Sequence, residues 1–143
     1  MQRKEMINTN DVSAEMEQLV REFEDCTLKP DDFHHRDHLA VALWYEYKNS
    51  DSSPSDRFRA SLLKFVQHNQ LAHVYHETIT LFWIKVVHHF YRNCENKESL
   101  AVLVEGISKE YGDHRVIYDY YSKDLLGSDE AKARWVEPDL KQL

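Results

Sequence analysis

The stretch His76–Asn93, HETITLFWIKVVHHFYRN, decides how this chain is read. A helix turns about 100° per residue, and at that period Ile79, Trp83, Val87 and Phe90 fall on one side. His76 and Thr80 share that side, while Lys85, His88, His89 and Arg92 fall on the other. The His88-His89 doublet resembles a metal motif but reads on this wheel as solvated surface.

The same period recurs along the chain. In NDVSAEMEQLVREFEDC, Val12, Met16, Leu19, Val20 and Phe23 form one stripe, with Asn10 or Ser13 available as a cap. A second helix is expected from His34 or His35 to about Lys48. A third follows the polar turn NSDSSPSD, with Ser53 as cap, Pro54 in the first helical position, and Phe58, Leu62, Phe65 and Val66 inward. A fifth is expected behind Asn96, carrying Leu100, Leu103 and Ile107, and a sixth behind Asp113, holding RVIYDYY. The tail LLGSDEAKARWVEPDL reads as a turn, one short helix capped by Ser128 and an extended end at Pro138.

The chain has only three glycines and three prolines in 143 residues, too few for the many tight turns of an all-β protein. The expected fold is therefore all-α: a single compact bundle of five to seven helices over residues 1–143, with 1–9 as a flexible N-terminus. The net charge of −7, without a basic stripe, argues against nucleic acid as a partner. No apolar run approaches the length of a membrane span, and MQRKEMINTN lacks the apolar core of a secretion signal. Two well-separated cysteines, Cys26 and Cys94, match no metal or redox spacing. A cytoplasmic protein is expected.

Nine histidines stand out, three of them in DDFHHRDHLA. On the second helix Leu39, Ala42 and Leu43 define the inner side; His35 falls inside that arc, His38 at its edge, and His34 further round. Glu46 also lies inside, where a carboxylate must be paired or hydrated. His35, His38 and His76 thus start two helices that face one core. An H-x-x-H pair can direct two imidazoles to one point. With His76 it forms a candidate three-histidine site suited to Zn²⁺ or Fe²⁺, with Glu46, Glu77 or Asp37 as a supporting carboxylate. Thr80, Tyr121 and Ser122 are candidates to orient a substrate or complete the pocket.

Two readings of function follow. In the first, a histidine-lined pocket binds a metal ion or a small molecule, and whether it is an enzyme stays open. In the second, the protein is a non-catalytic interaction partner or homodimer with buried structural histidines, and Trp44, opposite Leu39 and Ala42, either marks the interface or is covered by the first helix or the tail.

FHHRDHLAVALWY, YHETITLFW and YYSKDLLGSDEAKARWVEPDL together resemble an uncharacterised family of small, all-helical bacterial proteins. Its pattern joins F/W-x-H-x-x-H-L, Y-H-x-T-x-T-x-x-W and Y-Y-S-x-x-x-L-x-S to a W-V-E-P-D-L ending. The matches fall on Phe33, His35, His38 and Leu39, on Tyr75, His76, Thr78, Thr80 and Trp83, on Tyr120, Tyr121, Ser122, Leu126 and Ser128, and on Ala133 through Leu140. In the tail, Lys132-Ala133 intervenes between Ala131 and Arg134, a departure from the pattern. The resemblance singles out the same three histidines and supplies no activity.

Overall fold

Amphipathic segments separated by capped turns give seven α-helices in the computed structural model, which describes residues 9–48 and 53–143. They are α1 (Thr9–Glu24), α2 (His35–Tyr47), α3 (Pro54–His68), α4 (Glu77–Asn93), α5 (Leu100–Tyr111), α6 (Lys123–Leu126) and α7 (Asp129–Ala133). No strand occurs among the described residues, and the protein is an all-helical bundle. The expected flexible N-terminus lies outside the described residues but for Thr9, where α1 begins. The Asn10 side chain and much of the turn before Ser53 also fall outside them.

Several helix starts follow the side chains at their caps. Ser53 accepts the Asp56 N–H with Pro54 in the first turn, and Ser128 accepts the Ala131 N–H. The cap of α5 is Ser99 rather than Asn96, whose side chain instead accepts the Glu98 N–H one turn earlier. Asp113 does cap, but the segment behind it (His114–Asp119) is a 3-10 helix, not the expected α-helix.

Helix α2 lies at the centre, packed against α1, α3, α4 and α5. Leu39, Ala40, Val41, Ala42, Leu43 and Tyr45 are all buried, so α2 has little solvent face beyond its first turn. A helix apolar on all sides is a core helix, not a surface one. Trp44 accordingly packs, partly buried, against the core, so that of the two expectations for it the covered one is met. Phe23 of α1 meets Phe33, Phe65 and Phe58 at ring distances of 5.0, 5.4 and 5.8 Å. Such pairs add about 0.5–1.5 kcal/mol each beyond their burial.

Helix α4 is buried on two faces. Ile84 and Val87 join the main core, while Phe82 and Val86 form a second core with Ile117, Tyr121 and Leu126 from the C-terminal segment. That segment is clasped by side chains. Thr78 donates to the Arg134 carbonyl (2.7 Å) and accepts the Val136 N–H (3.2 Å), and the Tyr121 hydroxyl donates to the Val136 carbonyl (2.6 Å). Lys85 lies over the Trp135 ring at 4.9 Å.

Thr78 is fully buried, so replacing its hydroxyl strands two backbone groups. Thr78→Val is expected to lower the unfolding free energy by about 1–3 kcal/mol and to speed amide exchange at Val136. Thr78→Ser should retain most of both. Urea titration combined with exchange measurements checks this, and a wild-type midpoint for Thr78→Val would remove the clasp from the account.

Candidate functional site

Between the start of α2, the end of α3, the turn after it and the inner face of α4 lies a cavity of about 430 Å³. Phe33, Leu39, Ala42, Phe58, Leu62, Phe65, Val66, Ile79, Ile84 and Val87 supply most of its wall. The turn is fixed locally. Gln70 takes a left-handed conformation (φ 58°) just past α3, and the Leu71 N–H closes on the Val66 carbonyl at 2.8 Å. Leu71 then points into the wall, while Val74, 58% exposed, stands at the rim. Lys132 of α7 holds the same turn through the His73 carbonyl, at 2.7 Å.

His35, His38, His76 and Thr80 all line this cavity, as do Tyr75, Trp83 and His114. The convergence of α2 and α4 expected from the wheels is therefore present, but the imidazoles do not form a metal centre. His76 is the N-cap of α4: its Nδ1 accepts the Ile79 N–H at 3.1 Å, and its Nε2–H donates to the Leu126 carbonyl at 2.8 Å. Both ring nitrogens are thus committed to backbone. His35 donates through Nε2 to the Tyr111 carbonyl at 3.0 Å and sets its ring edge-on to Trp83, 4.5 Å away. Beside that carbonyl, Gly112 closes α5; a Cβ there would fall 2.3 Å from the Ser108 carbonyl oxygen and 3.0 Å from Arg36. His38 turns the other way and stacks on Phe33 at 4.0 Å.

The supporting carboxylates are engaged elsewhere. Asp37 accepts the His34 N–H at 2.9 Å, next to an imidazole that is largely exposed as expected. Glu77 is held by Arg59 (2.8 Å) and by the Tyr75 hydroxyl (2.7 Å). Glu46, only 8% exposed, pairs with His88 Nδ1 at 3.0 Å. His88 is therefore an interhelical partner of α2, not simple solvated surface, whereas His89 is exposed as expected.

No group of three or more His, Cys, Asp or Glu side chains able to hold a metal ion occurs among the described residues. This overturns the expected three-histidine Zn or Fe site and, with it, the reading of a histidine-rich metal pocket. The geometric reason is direct: H-x-x-H focuses two rings only when both turn to the same point, and here each ring follows a different partner. Tyr121 and Ser122 do not line the cavity. They lie across α4 from it, Tyr121 fully buried against Phe82 and Ser122 capping α6 through the Leu125 N–H.

Burial holds the His35 and His38 imidazoles toward their neutral form. His38 is pushed down to about 4, chiefly by burial and secondarily by His35, with a hydrogen bond to the Phe33 backbone opposing. His35 is lowered by burial first, and its bond to Tyr111 opposes. At the rim, Tyr75 is pushed up to about 12 by burial and by the Glu77 carboxylate. Thr78 and His88 carry functions the wheels missed. Thr78 belongs to the T-x-T motif but faces the second core, and His88 is found only when the α2 and α4 wheels are turned against one another.

Comparison with protein-family models, curated proteins and solved structures gave no match.

Two outcomes follow. His76→Ala removes the cap and one tie to α6, and is expected to cost about 1–2 kcal/mol in a thermal or urea melt. His76→Asn, which still accepts the Ile79 N–H, should recover part of it. Because the folded His38 has a lowered pKa, the unfolded chain binds more protons between pH 6.5 and about 4. Stability should therefore fall as pH drops through that window, by roughly 2–3 kcal/mol from His38 alone, and His38→Gln should flatten the profile there.

Proposed function

We propose that this is a non-catalytic interaction protein that works by association, with its inner histidines as structural elements. One observation carries the reading: the imidazoles placed to form a centre are tied instead to backbone, above all His76, with a ring nitrogen on each of Ile79 and Leu126. A side chain that caps one helix and ties it to another has no lone pair left for a metal or for proton transfer.

The place that best supports an association is the cavity bounded by α2, α3 and α4. At about 430 Å³ it exceeds the cleft of about 240 Å³ beside His89 and Tyr111. A small-molecule ligand fits this reading better than a homodimer, because Trp44, the residue expected to mark a dimer face, packs on the core. A cytoplasmic setting is part of the same proposal, supported by Cys26 and Cys94 as unpaired thiols. So is kinship with the uncharacterised bacterial family, supported by the structural uses of His76 and Thr78 within its motifs. No helix among the described residues is long and apolar enough to cross a membrane.

Elemental analysis of protein purified without a histidine tag tests the structural role. Zinc and iron are expected far below one equivalent after dialysis, and added zinc should leave the melting temperature unchanged, since a ligand that binds only the folded state must raise it. A stoichiometric metal that His76→Ala loses would overturn the proposal.

A further inference from the structure

The cavity is built for a particular kind of occupant. Its volume falls within the range of small-molecule sites, roughly 300–1,000 Å³, and it opens past the exposed Val74. Among the described residues no lysine, arginine, aspartate or glutamate lines it. Arg59 and Glu77, beside the lining residue Tyr75, neutralise one another through contacts at 2.8 and 3.2 Å. An anion entering the site would meet no lysine or arginine, and a cation no carboxylate; either would lose its hydration with little compensation.

The polar side chains that line the space are the imidazoles of His35, His38, His76 and His114, the hydroxyls of Tyr75 and Thr80, and the Trp83 indole. The imidazoles of His35 and His38 are kept neutral by burial, and the Thr80 hydroxyl lies on the opposing α4 wall. Trp83 and Phe33, against which the two imidazoles rest, provide flat apolar surface beside them. A neutral imidazole can accept or donate one hydrogen bond but cannot balance a full charge.

We propose that this cavity binds an uncharged, largely apolar organic molecule, its ring or branched body against the Phe33, Ile79 and Val87 walls and a single polar group near His35 and His38. The inference rests on the histidines being structural, in that a metal at the same place would bring charge into the site. The metal analysis reports on that reading alone, so the two proposals can fail separately.

A matched pair of dyes tests the ligand class. N-phenyl-1-naphthylamine is uncharged and fluoresces in apolar surroundings; 1-anilinonaphthalene-8-sulfonate is the same ring system carrying a sulfonate. Titrated into the full chain, the uncharged dye is expected to bind saturably, one per chain, and at least about tenfold more tightly than the sulfonate, the preference that one uncompensated charge imposes. Ala42→Phe, which fills the cavity, should abolish the binding. Because Ala42 is buried and its replacement can disturb the fold, Val74→Glu at the exposed rim serves as the second variant. It should keep the wild-type melt and circular dichroism while weakening the uncharged dye several-fold. Equal affinity for both dyes, no saturable binding of the uncharged one, or binding untouched by Val74→Glu in the folded protein would each overturn the proposal.

Discussion

The burial of α2 on almost every side is the constraint to which the rest of the bundle answers. A helix so enclosed leaves the buried Trp44 indole nitrogen unpaired, at a cost of the order of 1–3 kcal/mol, and must find a partner for its other inward polar atoms. Two such atoms fall on consecutive residues near its end. The Tyr45 hydroxyl donates to the Glu24 carboxylate and lies 3.1 Å from Ser61, linking α2 to α1 and α3. Glu46 turns the other way to His88 and links α2 to α4. These bonds fix the rotation and height of α2 against three neighbours, which apolar packing alone leaves less defined. At the opposite end His35 reaches the last carbonyl of α5 and performs the same service for the fourth.

With α2 fixed in this way, α4 can stand apart from it at its own start and leave a cavity between them. The gap is held open by bonds that lead away from it: Glu77 to Arg59 on α3, His76 to the end of α6, Thr78 to the tail. None of these crosses the space. The histidines at its edge are thus part of the frame. The neutrality of His35 and His38 is a product of the same burial that makes the walls apolar, so the polarity of the cavity and its shape share a cause.

Much of this could be read from single helices. The starts at Ser53, Pro54 and Ser128 follow local rules, and the stripes of α1 and α3 face the core as their spacing requires. The presence of His35, His38, His76 and Thr80 around one space also follows from two wheels facing each other. What failed was whatever assumed that each helix has one wet side. Helix α2 has almost none, so Trp44 is covered. Helix α4 has two buried faces, so Tyr121 and Ser122 belong to the far one. The metal reading failed for a different reason: spacing brings side chains to a common region, whereas coordination demands a common direction, and the partners that set direction here are distant carbonyls at residues 111 and 126.

Those carbonyls predict an asymmetric tolerance of substitution. His35, His76, Thr78 and Tyr121 all donate to main-chain oxygens, on Tyr111, Leu126, Arg134 and Val136. A main-chain acceptor is present whatever side chain its residue bears, so in related sequences the four donors should persist while drift at the acceptor positions is restrained only by packing. The Glu46–His88 pair obeys the opposite rule, since both partners are side chains. Losing either strands a buried group, and the two positions should be exchanged together or not at all.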